Sequence, residues 1–303
     1  MSAKALLRAL AALGLLVVLW GAFGVYRAWL GDDPVAGLPL PAFSPAEVDG
    51  IEITAPAETL RFARTGADWT VNGHAADAEQ VRKLMALLAD SAIAGELVAR
   101  NPASHARLGV DTAGRRLVFR KGGDTLLDLV VGSSGTGFLG VYARVAGAAE
   151  VYQVRGALGA HVGRDEASWR DRRIAAVPAD GVDRISIRHG RGETVLTRSG
   201  NAWMVGDAPA DTAAVRRLLG ALADIRAVGF ASPEETDSLD FGRPDRRLVV
   251  LGPAADTLLD LLVDSTGAGF RVRAGARPDV FQLDFWRVNE LIPPAEALRG
   301  KVP

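Results

Sequence analysis

The sequence predicts an α+β protein of two tandem homologous units, each a curved, mainly antiparallel sheet with one packed helix, behind an N-terminal transmembrane helix. Three observations carry this. The word Asp124-Thr125-Leu126-Leu127-Asp128-Leu129 recurs letter for letter as Asp256-Thr257-Leu258-Leu259-Asp260-Leu261. Each copy sits among short alternating apolar runs with hairpin-length links, which favour antiparallel pairing because parallel strands need longer crossovers. Ahead of both copies lies a long run without charge.

The surroundings extend the repeat. Arg115-Arg116-Leu117-Val118 precedes the first copy and Arg246-Arg247-Leu248-Val249 the second, while Gly137-Phe138 and Gly269-Phe270 follow them. Trp69 and Trp203 lie 134 positions apart, as do Asp77 and Asp211. A fixed internal period is the signature of a duplicated unit, here about 130 residues long.

Length and charge bound the rest. A chain of 303 residues carries a prior of about two domains. A net charge of −1 offers no field of one sign to hold nucleic acid, so no nucleic-acid partner is expected. The chain has no Cys, which excludes disulfides, thiolate metal sites and a lipid-modified N-terminal Cys.

Residues 1–30 are expected to form the anchor. Lys4 and Arg8 precede Ala9 to Tyr26, 18 residues without a charge. As a helix this run spans about 27 Å, near the thickness of bilayer hydrocarbon. Trp20, Tyr26 and Trp29 suit the headgroup level, and the basic residues ahead of the run place the N-terminus in the cytoplasm. A cleaved signal peptide is the competing reading, but its apolar core is shorter and ends in a small-residue site. Here Trp20, Phe23, Tyr26 and Trp29 crowd that region. The chain is thus expected to be a single-pass protein with its bulk outside the cytoplasm, which for a bacterial chain means the inner membrane and the periplasm. Residues 31–45, with Pro34, Pro39, Pro41 and Pro45, are expected as a spacer outside any sheet or helix, because proline fixes φ and lacks a donor.

The first unit is expected over 46–176. Val48, Ile51 and Ile53, then Leu60 and Phe62, then Trp69 and Val71 give three strands, with Asn72-Gly73 in a tight turn. Asp77 caps a helix and Gln80 completes a capping-box pattern; Val81, Leu84, Met85 and Leu88 make its buried stripe. After a link around Asn101-Pro102 come Leu117 to Arg120 and Leu126 to Val131, a hairpin, then Val141 to Val145 and Val151 to Val154. The second unit, 177–303, repeats the order. Ile185, Ile187, Val195 and Leu196 lead to Trp203, Asp211 caps a helix with the stripe Val215, Leu218, Leu219, Leu222 and Ile225, and Val280-Phe281-Gln282-Leu283 answers Val151-Tyr152-Gln153-Val154.

Chemistry-bearing candidates are few. Gly132-Ser133-Ser134-Gly135-Thr136-Gly137 follows a strand, but a phosphate loop ends in Lys-Ser/Thr and opens a helix. The second copy has Asp264 at its start, which would repel phosphate, so a strand-connecting turn is expected. His74, His105, His161 and His189 are scattered without metal-ligand spacing, and His74 and His189 are expected in solvated turns. Asp124 and Asp128, like Asp256 and Asp260, lie about 13 Å apart along a strand, too far apart for a glycosidase pair. Trp69 and Trp203 are expected as core anchors. No cofactor or metal site is expected. Trp169-Arg170-Asp171-Arg172-Arg173 stands between the units, and Trp169, Arg170, Arg172 and Arg173 are the candidate partner-binding residues, since Trp and Arg are enriched where proteins meet.

The N-terminal anchor, the Val-x-x-Ile-x-Ile opening, the Gly-x-x-Trp strand, the Asp-capped helix, Leu108-Gly109, the Asp-Thr-Leu-Leu-Asp-Leu strand, Val141-Tyr142-Ala143-Arg144, Val151-Tyr152-Gln153-Val154 and Trp169-Arg170-Asp171-Arg172 together resemble the bacterial domain-of-unknown-function family numbered 4340. The second unit departs from the pattern, with Phe241-Gly242 in place of Leu-Gly. The resemblance implies a membrane-anchored envelope protein, accompanying gliding-motility-type ABC transporter components, and supplies no catalytic residues. The expected function is therefore non-catalytic partner binding, with an ABC transporter permease as the implied partner. Two other readings stand beside it: a glycan or small ligand bound in a cleft between the units, and an envelope hydrolase.

Overall fold

A computed structural model describes residues 14, 20–22, 37–89, 92–135, 140–267, 269–275 and 277–300. The expected anchor over 1–30 lies outside the described residues apart from Gly14 and Trp20–Ala22, which are helical. No helix among the described residues is long and apolar enough to cross a membrane. The fold is α+β, mostly antiparallel sheet with few helices. The chain divides into two compact units, the first ending at Trp169 and the second beginning at Arg170.

In the first unit the strands are β1 (Leu38–Pro39), β2 (Gly50–Thr54), β3 (Thr59–Thr65), β4 (Asp68–Val71), β5 (His74–Ala75) and β6 (Ala92–Ile93). They continue with β7 (Gly95–Ala99), β8 (Arg115–Lys121), β9 (Asp124–Ser134), β10 (Gly140–Val145) and β11 (Val151–Arg155). Nine of them form one sheet in the order β5-β4-β3-β2-β8-β9-β10-β11-β7. The alternation in sequence sets which face is buried: Ile51 and Ile53 on β2 and Leu60 and Phe62 on β3 face the core, as period-two strands require. Asn72 and Gly73 take positive φ, 48° and 88°, so the β4–β5 turn has the residues that tolerate it best.

Helix α1 (Ala78–Leu88) buries Val81, Leu84, Met85 and Leu88, the expected stripe. Its N-cap Asp77 accepts from the backbone N–H groups of Glu79 and Gln80 at 3.0 and 3.2 Å. The reciprocal half of a capping box is not made, because the Gln80 side chain is taken by Arg164, whose Nη1 donates to Oε1 at 2.7 Å. The expected proline spacer also departs from its reading. Leu38–Pro39 pairs with Ala92–Ile93 as a two-stranded ladder, and Leu38 and Leu40 are buried in the core of the unit. Proline is tolerated there because a ladder this short is all edge, where the missing N–H costs no central hydrogen bond.

The second unit comprises β12 (Arg173–Ala175), β13 (Arg184–His189), β14 (Gly192–Ser199), β15 (Ala202–Val205), β16 (Ala208–Pro209), β17 (Ile225–Arg226) and β18 (Gly229–Phe230). Beyond these lie β19 (Arg246–Leu251), β20 (Thr257–Thr266), β21 (Gly269–Ala274) and β22 (Phe281–Leu283). The main sheet runs β16-β15-β14-β13-β19-β20-β21-β22-β18, and β12 pairs β17 apart from it. Each strand of the first order thus has a counterpart in the second. Helix α2 (Thr212–Leu222), capped by Asp211, buries Val215, Leu218 and Leu222, but the expected stripe stops there, because the helix ends at Leu222 and Ile225 lies on β17, paired with β12.

The repeated word has a visible task. On the solvent side of the first sheet Arg116 holds Asp128 through two bonds, Nε at 2.9 Å and Nη2 at 2.6 Å. In the second, Arg247 holds Asp260 in the same manner, at 2.8 and 2.7 Å. These bidentate pairs tie β8 to β9 and β19 to β20, and the planar guanidinium fork is what makes the match. The outer strands differ more. β5, β16 and β18 have two residues each, whereas β7 has five.

Candidate functional site

The Trp169–Arg173 stretch is split by the fold. Trp169 closes a one-turn helix, Glu166–Trp169, and its side chain is 0% exposed. The indole meets the Phe62 ring edge-on, centroids 5.1 Å apart, and lies 6.0 Å from the His161 ring. Its carbonyl accepts from the N–H of Asp77. Edge-on aromatic packing adds to area burial, so Trp169 works as a core anchor of the first unit and presents no free face.

Arg170 opens the second unit and is also inward. Its side chain is 12% exposed and its Nη2 reaches Asp279 Oδ1 at 2.5 Å, a carboxylate only 8% exposed. The guanidinium lies over the Phe230 ring, 3.8 Å from the centroid. Arg277 stands 3.6 Å from the other carboxylate oxygen. Arg172 and Arg173 are exposed. The Arg172 carbonyl accepts from Ala227 N–H, and Arg173 Nε lies 3.6 Å from Asp224. Of the four candidates, the outward pair is Arg172 and Arg173. Nothing in the sequence pairs Arg170 with Asp279 and Phe230, because the three meet only once the sheet has formed.

Among the described residues of the first unit His161 is the buried titratable group, on the short helix Leu158–Val162. Burial, with the charges of Arg164 and Lys83, pushes its imidazole below the ordinary value of 6.5. The folded state therefore binds this proton less readily than the unfolded chain. The resulting stability is complete above about pH 6.5 and is lost as pH falls through the lower, folded value. The urea midpoint of the full chain is expected to drop on acidification through that window, and His161→Gln is expected to flatten the drop. Equal slopes in both proteins would remove His161 from the account.

The other histidines have partners. His105 Nε2 is 2.9 Å from the Ala149 carbonyl. His189, expected in solvent, is half-buried with Nε2 3.3 Å from the Pro293 carbonyl, and His74 lies 3.8 Å from Glu166. Neither lies in a turn: His74 opens β5 and His189 ends β13, and the partners of both, Glu166 and Pro293, come from far along the chain. Among the described residues no group of three or more His, Cys, Asp or Glu could hold a metal.

The glycine-rich stretch is shaped by packing. A Cβ at Gly132 would stand 2.7 Å from Val110 Cγ1 and closer still to the Leu108 carbonyl. Ser133 Oγ donates to that carbonyl at 3.1 Å, so the Leu108-Gly109 element lies directly on this strand. Residues 136–139, the end of the stretch, lie outside the described residues. In the second unit Asp264 stands at the matching place and accepts from Asp240 N–H at 3.3 Å. Trp69 is buried at 5% exposure. Trp203 is half-buried and floors an open hollow of about 570 Å³ with Pro209, Val215, Arg216 and Leu219.

The chain belongs to the family described as Domain of unknown function (DUF4340), which matches residues 69–244. The matched region begins on β4, passes the division at Trp169–Arg170 and stops ahead of β19. No curated protein and no solved structure matches the chain.

Proposed function

We propose that this member of the DUF4340 family is a single-pass, membrane-anchored envelope protein whose ectodomain, two tandem homologous units, binds a protein partner without catalysing a reaction. The partner implied by the family resemblance is an ABC-type transporter permease complex. Corresponding strand orders, the exact six-residue repeat and the two like-placed Arg–Asp pairs support descent of both units from one ancestor. The uncharged run from Ala9 to Tyr26 supports the anchor.

The observation that carries the partner reading is the outward pair Arg172–Arg173, beside the inward Arg170. Exposed arginines at a fixed backbone give a rim of positive charge that steers and orients an acidic partner surface. One experiment tests it. Membranes holding the full chain are washed with alkaline carbonate, solubilised in mild detergent and used for affinity purification. The chain is expected to stay in the carbonate pellet and to bring permease subunits with it. R172E/R173E is expected to cut their yield about tenfold, as for a charge reversal at a rim. Release by carbonate would sink the anchor, and unchanged partners on the double variant would sink the docking role.

A further inference from the structure

The outer strand β7 combines three features that point to one occupant. Its length sets it apart: five residues, against two for the outer strands β5, β16 and β18. Very short edges are a common protection against pairing with another chain, and β7 lacks it. Among the described residues β7 pairs only with β11, through Gly95↔Val154, Glu96↔Gln153, Leu97↔Tyr152 and Ala99↔Val151. Its other side carries no ladder among those residues.

The second feature is the face it shows. Glu96 and Val98 on the strand, and Arg100 one residue past its end, are exposed, whereas Gly95, Leu97 and Ala99 are buried or half-buried. Val98 is 39% exposed, one of the few large apolar side chains so placed. Among the described residues neither Glu96 nor Arg100 has an ion-pair partner. The third feature is self-complementarity. Antiparallel pairing of two such strands about Val98 sets Glu96 opposite the mate's Arg100, and Arg100 opposite its Glu96. It also covers Val98 with its own copy. Opposite charges directly across a pair of strands stabilise it, and like charges do the reverse.

We propose that β7 is an interface between two copies of this chain, paired antiparallel across a two-fold axis at Val98. The contact is isologous, so one patch serves both copies and the assembly closes as a dimer. The register against β11 shifts where Val98 adds a residue. That bulge falls on the axis and bends both strands alike. It keeps the new ladder to a few rungs on either side, and the association is correspondingly weaker than that of an obligate dimer.

The absence of Cys makes the test direct. Residues facing each other across an antiparallel pair have Cα atoms about 4.5–5.5 Å apart, within disulfide reach. Full-length Val98→Cys protein, purified in mild detergent and mildly oxidised, is expected to form a disulfide-linked dimer. Val228→Cys, on a second-unit residue that is 50% exposed, is expected to remain monomeric. In the Val98→Cys background, Glu96→Arg or Arg100→Glu alone sets like charges opposite at both symmetry-related places, and the dimer yield is expected to fall roughly tenfold. The two reversals together restore the complementarity and are expected to restore the yield. Cross-linking no better than Val228→Cys overturns the proposal, and is also the result if the edge serves another protein. Cross-linking that ignores the single reversals, or that the double reversal leaves low, overturns it as well.

Discussion

Trp169→Ala is expected to destabilise the first unit by about 3–5 kcal/mol, the range for removing a large aromatic side chain from a packed core. The indole is 0% exposed and fills the space between Phe62 and His161. Its removal leaves a void that Phe62, fixed on β3, cannot collapse to close. The bond from Asp77 N–H to the Trp169 carbonyl survives the substitution, so the loss isolates the side chain. Trp169→Phe keeps part of the ring packing and is expected to lose less. Urea unfolding of the full chain, followed by circular dichroism, reads both variants. A loss under about 0.5 kcal/mol for the alanine variant, the level of ordinary surface changes, would return Trp169 to the list of surface candidates.

Arg170→Ala carries the second large effect, about 3 kcal/mol, at the low end for breaking a buried ion pair. Removing the guanidinium strips Asp279, a carboxylate 8% exposed, of its contact at 2.5 Å. It also uncovers the Phe230 ring, over which that group lies at 3.8 Å. Arg277, 3.6 Å from the same carboxylate, softens the loss. Arg170→Lys is not expected to restore stability, because an ammonium neither stacks on the ring nor offers a planar fork. Arg170→Met with Asp279→Leu is expected to recover most of it, since an apolar pair of similar volume avoids the buried charge. A single alanine variant as stable as the parent would show the pair to be incidental. The result also decides how the partner experiment is read. A reversal at Arg170 would damage the second unit itself, whereas reversals at Arg172 and Arg173 leave it standing.

Much of the fold was legible because local chemistry and tertiary packing agree. Alternating apolar residues marked β2 and β3, two apolar runs with a hairpin-length link marked β8 and β9, and Asp77 and Asp211 marked the starts of α1 and α2. The repeated word marked the strands that carry the Arg116–Asp128 and Arg247–Asp260 pairs. Elements missed were those defined by a distant neighbour. Leu38–Pro39 looked like spacer because proline argues against a strand, and only Ala92–Ile93 makes it one. Gly95–Ala99, just ahead of the link expected around Asn101-Pro102, has no apolar alternation of its own to mark a strand, yet it pairs along β11. Gln80 fitted a capping pattern until Arg164, on a far turn, drew its side chain away. The candidate patch failed to be uniform for the same reason. Trp169 and Arg170 look alike as surface residues in a string of Arg and Asp, and only the sheets beneath them decide that both turn inward.

Trp169 and Arg170 are joined by one peptide bond, yet each completes a different body. During synthesis the first body lacks its final wedge until the ribosome has passed Trp169. A protease nick or a cloning boundary even a few residues to either side would leave one fragment with a hole, or the other with a stranded carboxylate at Asp279. Dissecting this chain into independently expressed halves therefore comes down to a single bond.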